Sequence, residues 1–383
     1  MGKHVAWTSL VVMVAVFMGC NNQKATPTPD DAAPPAISPP SQPEANAPKP
    51  ASVEPDDPKS LEALASTATE LKKDGDGFVV EVSFRGAVID DAALEPLTGL
   101  KRVRSVLLND TAVTDAGMAA LGKVDTLQNV DLRGCGISNA GLASLAALKN
   151  LKALRLSDPD GKSTVDDEGM AHVAGLTNLK VLAVDFLWIS VDGLKQLSAL
   201  KNLEELYLAK TLVDDEALAV LAQFPKLKKL RASQSQVSGE GLAKLKDLPN
   251  LEDLDISECS LLTDADLAHL AGMKQLKKLN LWRDAISDTG AAHLAGLTNL
   301  VWLNVDNTQI SNAALEYFKN MTKLEFLHLG STSVSDAGLV HLEPLKALKD
   351  LKVTRTAVTE KGVEQLQKKL PDTKIQLVYI EGQ

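Results

Sequence analysis

A short hydrophobic pattern, L-x-x-L-x-L, recurs along most of the chain and constrains the fold more than any other feature. Its first residue recurs every 24 residues, apart from one interval of 28 and one of 25. The twelve first positions are Val79, Val103, Leu127, Leu151, Leu179, Leu203, Leu227, Leu251, Leu276, Leu300, Leu324 and Leu348. A period of this length is typical of solenoids, in which each unit contacts its neighbours and a stack of units forms one continuous core.

Each unit contains the signals for one strand followed by one short helix. Alternating aliphatic residues, such as Leu206 and Leu208, place their side chains on one face of a strand. Position 12 of the unit is usually Ser, Thr or Asp, as at Ser287, which is typical of a helix N-cap. An acid often follows, as at Asp288, where the helix dipole favours a negative charge. Gly recurs at position 15, as at Gly290, and predicts a close approach of the helix to the strand.

These units resemble leucine-rich repeats and are most similar to bacterial secreted arrays of the form T-x-V-[ST]-D-x-G-L-x-x-L. The stretch 276–299, LKKLNLWRDAISDTGAAHLAGLTN, is one example. The resemblance implies an α/β fold: a horseshoe-shaped leucine-rich-repeat solenoid of about 12 units, with parallel strands on the concave face and short helices on the convex face. It also implies that Cys135 and Cys259, which share one column, are buried free thiols. The unit containing Cys259 resembles repeats of F-box proteins too, and from that likeness only the fold is carried over.

Residues 1–20 have the pattern of a lipoprotein signal peptide. Lys3 precedes an apolar stretch that is short for a membrane span. Its ending, Phe-Met-Gly-Cys, resembles a bacterial lipobox, which implies cleavage before Cys20 and lipid attachment to that residue. The resemblance implies an exported protein, anchored by lipid in a bacterial cell envelope and facing the periplasm or the surface. The alternative is an ordinary secretory signal in which Cys20 is incidental.

The rest of the chain divides by composition. Residues 21–58 hold 11 of the 17 prolines and predict a disordered linker, which is either a stalk above a lipid surface or a tail without a role. Residues 59–76 are amphipathic and predict an N-terminal capping helix. The repeats then occupy residues 77–372, and residues 373–383 predict a closing strand. Four extra residues within 157–167 predict a protruding loop.

Composition and motifs argue against several classes of function. A net charge of −10 disfavours a nucleic-acid partner, which would need a basic face. There is no glycine-rich phosphate loop and no recognisable Ser-His-Asp or Cys-His arrangement. His172, His269, His293 and His341 recur in one helical column without further metal ligands, and the acidic insertion lacks the spacing of a calcium loop. We therefore expect a non-enzymatic protein without a cofactor or metal site.

The variable strand positions predict the binding surface. Trp302 and Phe326 occupy the same column in adjacent units, on the face opposite the core leucines. Trp282, Asn304 and His328 lie beside them in the pattern. Clustered aromatic residues outside the core, in a chain with 4% aromatics, indicate a recognition patch. The alternative is that the rings stack on each other and bind no ligand.

A second, weaker patch is predicted at Phe186 and Tyr207, near the insertion in the fourth unit. The leading hypothesis is that the concave face binds a protein or peptide partner through rigid aromatic anchors. One alternative is binding of a glycan or envelope polymer, with rings for sugar faces and neighbouring amides for hydroxyls. Another is a structural envelope protein that associates with copies of itself.

Overall fold

The computed structural model describes residues 54–379, which form one array of strand–turn–helix units. Fourteen strands form a single sheet in the order of the sequence. They are β1 Glu70–Lys73, β2 Val79–Ser83, β3 Ser105–Leu107, β4 Asn129–Asp131, β5 Ala153–Arg155, β6 Val181–Ala183, β7 Glu205–Tyr207, β8 Lys229–Arg231, β9 Asp253–Asp255, β10 Lys278–Asn280, β11 Trp302–Asn304, β12 Phe326–His328, β13 Asp350–Lys352 and β14 Lys374–Gln376. From β2 to β14 every neighbouring pair is parallel, which confirms the predicted leucine-rich-repeat solenoid.

Helices return the chain from the end of one strand to the start of the next. The α-helices are α1 Pro58–Thr67, α2 Asp115–Leu121, α3 Asn139–Leu145, α4 Asp167–Val173, α5 Val191–Gln196, α6 Asp215–Val220, α7 Gly239–Leu242, α8 Asp288–Leu294, α9 Asn312–Phe318 and α10 Glu360–Gln367. Tighter 3₁₀ helices span Asp91–Gly99, Leu197–Ala199, Leu221–Gln223, Leu245–Asp247, Asp264–Leu270 and Asp336–Leu342. No helix within residues 54–379 is long and apolar enough to cross a bilayer.

The core lies between the sheet and the helices and is almost entirely aliphatic. The central residue of each strand from β3 to β13, such as Leu206, Leu254 or Leu303, is fully buried. Burial of a leucine side chain contributes about 1.5–3 kcal/mol, and the columns repeat this contribution in every unit. Cys135 and Cys259 are free and buried in this core, and their Sγ atoms lie 3.1 and 3.3 Å from backbone carbonyl oxygens of the preceding unit.

A ladder of side chains, most of them carboxylates, links most helices to the next unit. Asp91 accepts hydrogen bonds from the backbone N–H of Thr114 at 2.7 Å and from its hydroxyl at 2.8 Å. Asp215 holds Ser238 in the same way, at 2.7 and 2.5 Å. The same pairing recurs at Asp115–Ser138, Asp167–Ser190, Asp264–Ser287, Asp288–Ser311 and Asp336–Thr359. The sequence predicted that these acids serve their own helix dipole, whereas their hydrogen-bond partners lie in the following unit.

The recurring glycine has a different cause from the predicted one. A Cβ atom added to Gly117 would lie 2.6 Å from Oδ1 of Asp91, so the glycine leaves room for the carboxylate of the preceding unit. The predicted close approach of helix to strand is therefore wrong as the main reason. Ala217 stands in place of glycine where the preceding ladder residue is Val191, and Ala314 does so beside the acid Asp288, so glycine is frequent but not required at this position.

One junction inverts the pairing. The seventh unit has Gly239 at the ladder position, and the eighth unit has Asp266 where the glycine normally stands. Asp266 accepts from the backbone N–H of Thr263 at 2.8 Å and from its hydroxyl at 2.7 Å. The backbone N–H and hydroxyl of the N-cap residue are therefore bonded by an acid of their own unit, and the glycine lies in the preceding unit instead.

The ends of the array differ in detail from the predicted segments. The N-terminal helix covers Pro58–Thr67 and not the whole of 59–76, because Ser66 and Thr67 bond back to the carbonyl of Ala63 and the chain turns extended at Ala68. Strand β1 follows and pairs antiparallel with β2, giving that edge strand a backbone partner. At the other end, the segment predicted as a closing strand contains β14, which is parallel to β13.

The insertion in the fourth unit is folded at both ends and exposed at its tip. Asp158 is buried; one of its carboxylate oxygens accepts from the backbone N–H of Ser163, and the other from that of Asp160 at 3.2 Å. Ser163 donates its hydroxyl to the carbonyl of Ile137 at 2.9 Å. Residues 159–162, at the tip, are exposed. The loop protrudes as predicted, but its base is fixed against the preceding unit.

Candidate functional site

The concave face is the sheet face that carries the residues on either side of each buried strand leucine. Trp302 and Asn304 flank the buried Leu303 and are half-buried on the open side. Because the strands are parallel and in register, equivalent residues form straight columns across the sheet, so Trp302 pairs with Phe326 and Asn304 with His328. The concave face therefore brings together four of the five residues predicted for the main patch.

The rings of the main patch stack on one another. The centroids of Trp302 and Phe326 are 5.0 Å apart with planes only 6° from parallel. His328 meets the edge of Phe326 at 6.3 Å and 68°. The ammonium of Lys352, from the next strand, lies 5.8 Å from the Phe326 ring. Mutual stacking covers one face of Trp302 and one face of Phe326.

Trp282 belongs to the same region but not to the stack. Its ring lies 5.3 Å from the guanidinium of Arg283, and among the described residues it makes no aromatic contact with Trp302. The cavity beside His328 is small, about 60 Å³, which is room for a water molecule or two. Burial lowers the pKa of His328, although Asp306 lies 4.0 Å from its Nε2 atom. The main patch is thus a flat surface whose side chains partly contact one another.

A row of charges that neutralise one another lies along the edge of the sheet, just before the middle strands begin. Glu204, the residue before β7, accepts hydrogen bonds from Lys180 at 2.7 Å and Lys228 at 2.8 Å, the residues before β6 and β8. These two hydrogen bonds, assisted by the lysine charges, lower the pKa of Glu204 to about 2. Lys277 and Glu252 continue the pattern at 2.7 Å. Such a ladder offers little unbalanced charge to a partner.

A larger cavity of about 420 Å³ opens on the concave face beside the insertion, and both residues of the predicted second patch line it. Tyr207 donates its hydroxyl to Glu205 at 2.6 Å, and burial raises its pKa. Phe186 has a φ of 67°, a left-handed conformation that is rare for a bulky side chain. Its ring lies 5.8 Å from the ammonium of Lys210.

Three arginines, Arg133, Arg155 and Arg231, also line this cavity. Arg133 is held in a fork by Asp131, with contacts of 2.8 and 2.6 Å. Asp185 lies at the cavity wall and is 5% exposed. Burial raises the pKa of Asp185.

The sequence prediction missed an exposed apolar column next to this cavity. Trp188 is 66% exposed and Leu212, at the equivalent position of the next unit, is 51% exposed. Together with Pro159 and Phe186 they line a second cavity of about 390 Å³. Most other units have Ala, Gly, Ser or Gln at this position. Large apolar residues at this position in two consecutive units, where most units have a small or polar residue, were the signal that could have identified the exposed apolar column.

Cys20, the predicted lipidation residue, lies outside the described residues 54–379. The predicted signal peptide and most of the proline-rich linker also fall there. Within the described part of the chain, no cluster of three or more His, Cys, Asp or Glu side chains has a metal-binding arrangement.

Comparison with known proteins supports the fold. A family model described as leucine-rich repeat matches residues 249–310. An internalin (inlF) from Listeria monocytogenes is 20% identical, with a TM-score of 0.58, over 86% of this chain and 97% of that chain. A chain from the Rad7 and Elc1 complex of yeast is 18% identical, also with a TM-score of 0.58, over 77% of this chain and 82% of that chain. No curated protein matches the sequence. At these identities the likeness establishes the leucine-rich-repeat architecture.

Proposed function

We propose that this protein is a non-enzymatic binding protein whose concave face captures a protein or peptide partner. The observation that carries the proposal is the cavity beside the insertion, where arginines and the rings of Phe186 and Tyr207 surround about 420 Å³ of open space. The adjacent core is already filled by buried leucines, so these side chains are not needed for packing. Rings and arginines are the residue types that contribute most to protein interfaces.

The architecture suits such a role because the binding surface needs little reorganisation. Each strand from β3 to β13 is hydrogen-bonded to a neighbour on both sides, and its central leucine or valine is buried in the core. A surface that is already ordered loses little conformational entropy when a partner binds. The likeness to a chain from a two-protein complex is in keeping with this role.

The geometry favours a protein or peptide over a glycan at the main patch. A sugar ring packs against an open aromatic face. Here Phe326 has Trp302 stacked on it at 5.0 Å and Lys352 nearby. One face of each ring is therefore covered, and the short polar side chains around the stack suit contacts with the side chains of a protein. Glycan binding and self-association stay as outcomes of the test below.

We also propose that a lipid on Cys20 holds the array at a bacterial envelope, with residues 21–53 as a spacer. The predicted linker is wrong at its end, because Asp56 is buried and accepts from the backbone N–H of Val79 at 2.8 Å, and Pro58 begins helix α1. The support for the anchor is the sequence pattern of residues 1–20. Multiple acyl chains give stable anchoring, whereas a single chain gives marginal binding. The native chain should partition into detergent micelles on phase separation and Cys20→Ser should remain in the aqueous phase. Equal partition of both proteins would refute the anchor.

The binding proposal is tested by capture from envelope extract on the immobilised full-length chain in detergent. Three variants are compared after circular dichroism shows that they melt like the parent: Tyr207→Ala, the double variant Trp302→Ala with Phe326→Ala, and the control Tyr317→Ala on helix α9. A protein partner retained by the parent and the control but lost with a concave variant supports the proposal. The proposal would be refuted if capture depended only on Tyr317. It would also be refuted if only a glycan or further copies of this chain were captured.

A further inference from the structure

The cavity beside the insertion holds two arginines with unused hydrogen-bond donors. Arg155 donates from Nη1 to Oδ1 of Asn129 at 2.7 Å, and within residues 54–379 no carboxylate lies at ion-pair distance from it. A guanidinium carries five N–H donors in a planar fork that matches a carboxylate. Arg155 therefore presents a positive charge and free donors to the cavity.

Arg231 has carboxylates near it, but none at hydrogen-bond distance. Its Nε atom lies 3.5 Å from Asp255, and its Nη1 atom 3.7 Å from Asp185, distances longer than a normal hydrogen bond. The Nε–H is buried and has no hydrogen-bond partner among the described residues. A ligand in the cavity cannot reach that buried Nε–H. The side chain is 38% exposed, however, and its Nη groups make no hydrogen bond among the described residues, so they can donate to an acceptor supplied by a ligand.

Neither acid in the cavity wall fills this need: Asp110 is exposed and accepts from Nδ2 of Asn109 at 3.0 Å, and Asp185 is bonded elsewhere. Oδ1 of Asp185 accepts from the backbone N–H of Ala209 at 2.7 Å, and Oδ2 accepts from the hydroxyl of Ser157 at 3.1 Å. These bonds tie the carboxylate to the insertion and to the next unit. Asp185 thus serves the cavity wall, and the donors of Arg155 and Arg231 remain available.

The apolar groove lies directly beside these donors. Pro159 and Phe186 line both the 420 Å³ cavity and the 390 Å³ cavity that contains Trp188 and Leu212. The base of the insertion is fixed by the buried Asp158, so the ridge between the two cavities is preformed. Volumes of a few hundred Å³ hold a few side chains rather than a folded domain.

We propose that these two cavities form one site for a peptide segment that carries a carboxylate next to a large apolar side chain. The carboxylate pairs with Arg155 and Arg231, and the apolar side chain packs on Trp188 and Leu212. This inference rests on the proposed function and names the chemistry of the partner. A side-chain carboxylate and a free C-terminus share this chemistry, and the probes below distinguish them.

The test uses the full-length chain in detergent, labelled with 5-fluorotryptophan at its four Trp residues, and fluorine NMR at constant ionic strength. The Trp188 signal is assigned with Trp188→Phe. Four probes are titrated: N-acetyl-Leu-Asp-amide, N-acetyl-Leu-Asn-amide, N-acetyl-Ala-Asp-amide and N-acetyl-Leu, whose carboxylate is terminal. The first probe should shift the Trp188 signal and bind about tenfold more tightly than its Asn counterpart, as expected for a charge-assisted contact.

The variants separate the two halves of the site. Arg155→Gln should weaken N-acetyl-Leu-Asp-amide about tenfold, whereas the control Arg283→Gln, an exposed arginine elsewhere on the array, should leave it unchanged. Leu212→Ser should remove the preference for Leu over Ala probes. N-acetyl-Leu binding as tightly as N-acetyl-Leu-Asp-amide assigns the site to a C-terminus; weaker binding assigns it to an acidic side chain.

Three results would overturn the inference: equal affinity for the Asp and Asn probes, no effect of Arg155→Gln, or a shift of the Trp302 signal in place of that of Trp188. The proposed function is judged separately by the capture experiment. If capture still depends on Tyr207 or on Trp302 and Phe326 while these probes fail, the concave face binds a partner and only the chemistry assigned to this site is wrong.

Discussion

Asp284 gives the sharpest test of the electrostatics inside the array. It stands in the column where most units have a Thr, Ser or Cys, and it is 2% exposed. One carboxylate oxygen accepts from the backbone N–H of Cys259 at 2.8 Å, and the other has no hydrogen-bond partner among the described residues. Burial raises the pKa of Asp284 to about 8, and the nearby charges of Asp255 and Glu258 act in the same direction.

The sign of the resulting pH dependence follows from proton linkage. The folded protein keeps Asp284 protonated up to about pH 8, whereas the unfolded chain ionises it near pH 4. Between these values the folded state holds one more proton, so the free energy of unfolding falls as the pH rises. The slope is about 1.4 kcal/mol per pH unit, or about 3 kcal/mol between pH 5 and pH 7.

Asp284→Asn removes this titration while keeping an oxygen for the Cys259 amide. Its stability relative to the parent should therefore rise by about 3 kcal/mol from pH 5 to pH 7. The assay is urea unfolding at pH 5, 6 and 7, followed by circular dichroism. Asp247→Asn, at an exposed aspartate, is the matched control and should follow the parent. Parallel curves for the parent and Asp284→Asn would refute the assignment of a buried, protonated carboxyl.

Two further predictions concern the links between units. Gly117→Ala should lower the free energy of unfolding by about 1–3 kcal/mol, because the added Cβ meets a carboxylate oxygen at 2.6 Å, whereas Gly272→Ala has no atom within 4 Å and should change it by less than about 1 kcal/mol. Equal thermal melts for both would contradict this. The carboxyl of Glu204 should titrate near pH 2 in carbon NMR, and Lys228→Gln should move that midpoint upward; an unchanged midpoint in the variant would show that the lysine does not lower the pKa.

The repeating architecture could be predicted from the sequence because it depends on local patterns. Each strand needs only alternating aliphatic residues, as at Leu206 and Leu208, and each helix start is marked by an N-cap such as Ser287. Those signals lie within one unit. The period then requires neighbours to stack in register, and the observed parallel pairing of Trp302 with Phe326 follows directly.

Features that depend on contacts between units were harder to infer. The acid after each N-cap and the recurring glycine were read as separate features of one helix, whereas Asp91 and Gly117 are contact partners from different units. Substitutions at the two positions in consecutive units carried the missing signal. Where one unit has Val191 at the ladder position, the next has Ala217 at the glycine position, and where one has Gly239, the next has Asp266. Reading the columns in pairs would have related them.

The candidate site shows the same limit. Attention to the strand positions selected Tyr207 and the ring stack, whereas the more exposed Trp188 lies in the turn after a strand. The equivalent position is exposed in most units, so its exposure alone did not single out Trp188. The wall beside it rests on Asp158, whose burial has no pattern in the sequence.

The carboxylate ladder also gives the array a direction. The cap of Ser238 depends on Asp215 of the unit before it, whereas Asp215 itself, without Ser238, would simply be solvated by water. If a unit is lost from the C-terminal end, only a carboxylate that water can solvate is left without its partner. If a unit is lost from the N-terminal end, a backbone N–H is left without its acceptor. Each unit that folds after its N-terminal neighbour therefore finds its acceptor already in place, and the array can grow one unit at a time in the direction of the chain.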